Sequence, residues 1–300
     1  MSAANSSAAT PGPAQPFFLA GQTGERFCLY HPAQGTARGA FIYVHPFAEE
    51  MNKCRRMAAM QARAFARSGI AVLQIDLYGC GDSSGDFGDA RWPIWLDDLQ
   101  RAQQWLAQRH TSTIGWWGVR LGALLALEAA GRFGGGPALL WQPVISGEAF
   151  LTQFLRMRVA SAALAAKSIT APAATALRTV VPVALPEASG TQAIRAAMTA
   201  GEAIEVGGYE LAPALAAAID TVKMSELAVP DLTVYWIEVV AEDGRSLPPA
   251  AANAEAALRI AGVDLHLHLA VGPAFWTTQE VVDCPGLLAA TGAIQDLATV

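Results

Sequence analysis

Residues 113–132 read TIGWWGVRLGALLALEAAGR, and this stretch decides the fold. Thr113–Trp117 is a short apolar run of the kind that forms a strand buried on both faces, and Leu121–Arg132 has the composition of a buried helix. Between them lies Gly118-Val119-Arg120-Leu121-Gly122, a tight turn with glycines two positions either side of Arg120. The glycine spacing has a steric reason, because side chains there would meet the strand and helix that the turn joins.

Working outward, the same alternation continues. Ala40–His45 (AFIYVH), Ile70–Asp76 (IAVLQID) and Ala138–Trp141 read as buried strands, with a helix over Cys54–Ser68 and an amphipathic one over Trp92–Arg109. Phe17–Ala20 and Arg26–Tyr30 flank Gly21 and Gly24 as an opening hairpin. After Gln142 the rhythm breaks, and it resumes with a strand over Leu232–Ala241, a helix over Pro249–Ala261, a strand over Val263–Val271 and a last helix over Val281–Leu297. Strands alternating with helices predict an α/β fold, a mostly parallel sheet flanked by helices. The alanine-rich segment of roughly eighty residues in the break is too long for a simple connection, with Pro172, Pro182 and Pro186 as its helix breaks. The expected organisation is a flexible tail over 1–16, a core half over 17–146, an inserted helical cap over 147–226 and a second core half over 227–300.

Composition bounds the rest. Hydrophobic residues make up 53% and charged residues 15% of the 300, enough apolar surface for a large core and too much for a disordered chain. A net charge of −6 argues against nucleic acid as the main partner. Cys28, Cys54, Cys80 and Cys284 have neither disulfide-framework nor metal-type spacing. The first residues lack the basic start and apolar run of a secretory signal, and no apolar stretch spans a bilayer, so a cytoplasmic protein is expected. His266 and His268 point to one face of a strand with no third ligand near in sequence, so neither a metal nor a cofactor is expected.

Three strand ends carry a resemblance. The 118–122 turn is similar to the G-x-S-x-G nucleophile elbow, with Arg120 where serine belongs. Asp76-Leu77-Tyr78-Gly79-Cys80-Gly81-Asp82-Ser83-Ser84-Gly85 resembles the D-x-R-G-x-G-x-S-x-G loop of many α/β-hydrolases, with Tyr78 for arginine and every other fixed position matched in order. His45-Pro46-Phe47 sits where such proteins carry His-Gly and an oxyanion-hole loop. Together with HPFAEEMNKCRRM (45–57), EVGGYEL (205–211) and GPAFWTTQE (272–280), these segments look like the exosortase A system-associated hydrolase 2 group of α/β-hydrolases. The resemblance runs from Phe17 to the C-terminus. It implies an α/β-hydrolase fold and a setting of exopolysaccharide production and PEP-CTERM protein sorting.

The resemblance also assigns positions. Glu242 and Asp243 follow the 232–241 strand where the family's acid sits, and Phe275 stands in the histidine position. The oxyanion-type donors would be the amides of Phe47 and Leu121. His45, Glu49, Cys80 and Trp276 would line the pocket. A serine nucleophile needs an adjacent imidazole, and arginine, with a pKa above ~12, cannot replace either group. Arg120 therefore has two readings: a cation holding a small anionic ligand, or an internal ion pair with Asp243, Glu242 or Glu49 that plugs the pocket. Two functions follow, an accessory or anion-binding protein, or a hydrolase or acyl-transfer enzyme on an ester or acylated carbohydrate using another group. Within Leu151–Ala200 of the cap, Arg156, Arg158, Lys167, Arg178 and Arg195 stand against the single acid Glu187, a local excess of positive charge that allows peripheral association with a membrane-bound sorting or export system.

Overall fold

The structure is a computed structural model and describes residues 13–169, 190–294 and 297. Its sheet has eight strands: β1 (Gln15–Ala20), β2 (Glu25–His31), β3 (Gly39–Val44), β4 (Ile70–Ile75), β5 (Ile114–Val119), β6 (Ala138–Trp141), β9 (Thr233–Val240) and β10 (Asp264–Val271). A two-stranded hairpin, β7 (Ile204–Val206) and β8 (Tyr209–Leu211), lies apart from it. In space the large sheet runs β1-β2-β4-β3-β5-β6-β9-β10. Only β1 and β2 run antiparallel to their neighbours; from β4 to β10 every pairing is parallel. The central strands β3, β5 and β6 are buried along their whole length, as their unbroken apolar runs require.

Helices cover both faces. On one face α1 (Glu49–Arg67) and α8 (Pro285–Gly292) pack over Phe41, Tyr43, Trp117, Trp141 and Tyr235. On the other, α2 (Trp92–Ala107), α3 (Leu121–Phe133) and α7 (Pro249–Ile260) pack over Ile42, Val44, Trp116, Leu140 and Trp236. Successive residues of one strand thus feed opposite cores, the period-two geometry of the pleat.

Between β6 and β9 the chain forms α4 (Gly147–Ile169), α5 (Thr191–Thr199), the β7–β8 hairpin and α6 (Pro213–Thr221). The segment leaves and re-enters the core through two adjacent strands of chain. Gly147 N–H donates to the Val222 carbonyl at 2.9 Å and Met224 N–H to that of Ile145 at 3.0 Å. Pro172, Pro182, Pro186 and Arg178 lie outside the described residues.

Four expectations need correction. The sheet begins at Gln15, inside the stretch read as tail, because residues 15–20 pair with β2. Helix α1 starts at Glu49 and not at Cys54; Glu49 and Glu50 occupy its first turn, where carboxylates complement the helix dipole. The inserted segment holds a hairpin, turned by Gly207 and Gly208, both at positive φ. The last helix begins at Pro285, four residues later than expected, because 272–284 is a loop tied to α1. Arg56 holds Asp283 through two bonds of 2.6 and 2.9 Å, and Lys53 donates to the Thr278 carbonyl.

Candidate functional site

The turn after β5 has the geometry its glycines imply. A Cβ on Gly118 would lie 2.4 Å from the Ala123 Cα, and one on Gly122 2.4 Å from the His45 carbonyl oxygen, so both positions exclude a side chain. Arg120 itself sits at φ 55°, ψ −120°, a strained conformation for a residue with a Cβ. Backbone bonds hold it there: its N–H donates to the Trp141 carbonyl at 3.1 Å, and its own carbonyl accepts from Ala123 at 3.1 Å and Val144 at 3.2 Å. The strand–turn–helix unit is a nucleophile elbow in shape.

Its side chain is committed inward. The Arg120 Nε donates to Glu50 Oε1 at 3.2 Å, Nη1 to the Gln142 carbonyl at 3.4 Å, and the guanidinium lies 5.2 Å from the centre of the Trp276 ring. The two charged side chains are only 16% and 18% exposed. Burial pushes the Glu50 carboxyl above its ordinary range while Arg120 pulls it back. The second Glu50 oxygen, Oε2, is buried without a hydrogen-bond partner. Among the described residues, no serine, cysteine or histidine bonds to either member of this pair.

Several expected partners are elsewhere. Glu242 is 69% exposed and pairs with Arg245 at 3.2 Å, while Asp243 is exposed and accepts from the Gly244 N–H. Neither reaches Arg120; nor does Glu49, whose Oε2 accepts from Tyr209 OH at 3.1 Å and Asn52 at 3.0 Å. Phe275, at 1% exposure, belongs to the core under α1 and α8. The ring that the Arg120 guanidinium lies over in that loop is its neighbour Trp276, which packs edge-to-face on Phe275. The carboxylate that meets Arg120 is that of Glu50.

The oxyanion-type amides are next to an apolar pocket. Among the described residues, neither the Phe47 nor the Leu121 N–H has an acceptor. The Phe47 ring is enclosed edge-on by Phe87, Trp95, Phe150 and Phe154, the last two from α4. The space left between His45, Phe47, Cys80, Trp95 and Leu121 is about 10 Å³, room for roughly one water. His45 is fixed as a neutral structural group: Leu77 N–H donates to Nε2 at 3.3 Å and Nδ1 donates to the Pro46 carbonyl at 2.8 Å, while burial holds its pKa below the usual value. Burial likewise raises the Cys80 thiol far out of the reactive range.

Two polar residues that the sequence reading passed over complete the site. Glu238, on β9, is 4% exposed and accepts from Gln142 Nε2 and Trp236 Nε1, both at 2.9 Å. Gln142 sits at φ 44°, and its own amide oxygen accepts from Val239 N–H at 2.6 Å. A lone acid in the apolar run LTVYWIEVV was the signal that could have found it. Outside the site, His266 pairs with Asp264 on an exposed strand. The cap cations are partly internal ties: Arg158 donates to the Glu205 carbonyl, and Arg195 pairs with Asp220 and bonds to Thr152.

With this geometry in place, comparison with solved structures decides the fold. A soluble variant of monoglyceride lipase from Saccharomyces cerevisiae superposes with a TM-score of 0.59 at 14% identity, over 94% of each chain. The chain has the α/β-hydrolase fold. Est1E from Butyrivibrio proteoclasticus, solved with ferulic acid bound, gives 0.57 at 14% identity over 92% of this chain and 96% of that one. An α/β serine hydrolase without lid from Xanthomonas campestris gives 0.54 at 16% identity over 97% and 98%. No family model and no curated protein matches the sequence. At these identities the likeness shows the fold alone. Among the described residues no helix is long and apolar enough to cross a membrane.

Proposed function

We propose that the chain is a non-hydrolytic binding or accessory protein in which the elbow has changed from a nucleophile mount into a structural plug. We further propose that it works in the cytoplasm, alongside the exosortase A and exopolysaccharide machinery to which its sequence resemblance points. One observation carries the reading: Arg120 at the elbow tip pairs with Glu50 and stacks on Trp276, where a triad needs a hydroxyl and an imidazole. Glu50 offsets the Arg120 charge, so the reading places no anionic ligand there. The test is turnover of p-nitrophenyl acetate and butyrate by the purified protein. The expected rate equals that of an unfolded control and is unchanged in Arg120→Ala; saturable turnover by the folded protein alone would overturn the reading.

A second reading rests on Glu50. Its unpartnered Oε2 and raised pKa are features of a general acid–base group, and the unbonded Phe47 and Leu121 amides are features of an oxyanion site. A hydrolase or acyl-transfer enzyme on ester-type substrates would use those groups without a covalent intermediate. In that case Glu50→Gln would abolish turnover that wild-type protein displays.

A further inference from the structure

The polar contacts that begin at Glu50 do not stop at Arg120. They pass through the Gln142 carbonyl to the Gln142 side chain and from there to Glu238 and Trp236. The far end of this chain opens into a cleft of about 600 Å³ between the end of β9 and the loop that leads into α7. That volume lies within the ~300–1,000 Å³ typical of small-molecule sites, whereas the pocket beside the elbow holds about 10 Å³. Glu238 and Gln142 line its inner side, and Ser246, Leu247 and Pro248 its outer side.

The charge balance in this cleft is incomplete. Glu238 is buried, and both donors that touch it are neutral: an amide and an indole N–H. Gln142 cannot rotate to offer anything else, because Val239 N–H holds its oxygen. Arg120 acts on Glu238 only at a distance and is already paired with Glu50. Arg245, on the loop, is paired with Glu242. Among the described residues no cation lies within ion-pair distance of Glu238. A buried carboxylate without a contacting cation is costly, and here it borders open space. A bare metal ion does not suit it, because the neighbouring Gln142 and Trp236 groups are donors and supply no further ligand oxygen. A protonated amine does, since each carboxylate oxygen keeps a lone pair beyond the bond it already accepts.

We infer that this cleft binds a compact organic ammonium compound, its charged nitrogen on the Glu238 carboxylate and its apolar body against Leu247 and Pro248. The inference rests on the non-hydrolytic reading and gives that reading a ligand class.

The test is thermal stabilisation of the full chain at neutral pH and matched ionic strength by cyclohexylammonium, against cyclohexanol and cyclohexanecarboxylate. The expected result is an upward Tm shift with the amine alone. Glu238→Gln should lose the shift, and so should Ser246→Trp, which fills the cleft from an exposed loop position, each shift being read against that variant's own resting Tm. Equal shifts with the alcohol, a shift that survives Ser246→Trp, or no shift with any probe would overturn the inference. Ester turnover measured on the same preparations keeps the two claims apart: turnover together with an amine-specific shift defeats the functional reading alone, and inertness without a shift defeats the cleft alone.

Discussion

The loop at Asp76–Gly85 and the cluster around Arg120 lie at the same end of the sheet and differ in how they are bonded. In the loop, the motif read from the sequence is accompanied by a dense set of bonds. Asp76 accepts from Asp82 N–H and pairs with Arg55 at 3.0 Å, Ser83 Oγ accepts from Phe27 N–H, and Ser84 Oγ accepts from Glu25 N–H. At Tyr78, Arg26 of β2 places its guanidinium 4.6 Å over the ring and pairs with the buried Asp98, which in turn accepts from Tyr78 N–H. Around Arg120 the elbow backbone is present, and its tip carries a cation paired with Glu50. The lesson is that an elbow is a backbone device before it is a catalytic one. Ala48, the residue before α1, shares its conformation at φ 50°, ψ −130° and carries no reactive group at all.

If the loop is architecture, breaking it should cost the most. Arg26→Ala leaves Asp98 buried without its cation and is expected to lose about 3–5 kcal/mol in urea unfolding; a loss under about 1 kcal/mol would detach the loop from the stability of the fold. Next comes Phe275→His. With the ring in the core, the imidazole is buried among apolar side chains, and a loss of about 2–4 kcal/mol is expected. Combining it with Arg120→Ser should give no ester turnover, and appearance of turnover would mean that residue 275 does face the elbow.

A smaller effect is expected from the plug. Arg120→Ala strands Glu50, with a loss of about 1–2 kcal/mol. A double-mutant cycle with Glu50→Gln should then show a positive coupling; additivity would mean the pair is incidental. The smallest effect is one of pH. Burial raises the Glu238 pKa above its ordinary 4.5, so its contribution to stability is present when it is protonated, at and below that value, and is lost as pH rises through the folded pKa. Wild-type protein should therefore gain Tm relative to Glu238→Gln as pH falls from neutral toward 4.5. A constant difference between the two would contradict the raised pKa.

The sheet was legible because its central strands are unbroken apolar runs and because glycine pairs mark a turn that admits no side chain. The elbow was legible for the same reason. The partners of Arg120 were not, because they depend on where loops and helix starts fall. A helix begun at Cys54 leaves Glu50 outside it, whereas the extra turn from Glu49 brings Glu50 against Arg120. Phe275 and Trp276 are adjacent in sequence and share one buried cluster, and it is Trp276 that lies under the Arg120 guanidinium. Glu242 and Asp243 follow their strand as a triad acid would, yet the strand ends at Val240 and the chain carries them into solvent. Motif order along a chain specifies neighbours in sequence; it leaves open the side-chain directions that make a site.

Reaction of the folded protein with an alkyl fluorophosphonate, read as intact mass, tests the loss of triad chemistry most directly. An unmodified mass after prolonged exposure is the predicted result. One stoichiometric phosphonyl adduct, absent after unfolding in urea, would reveal an activated nucleophile and contradict the account.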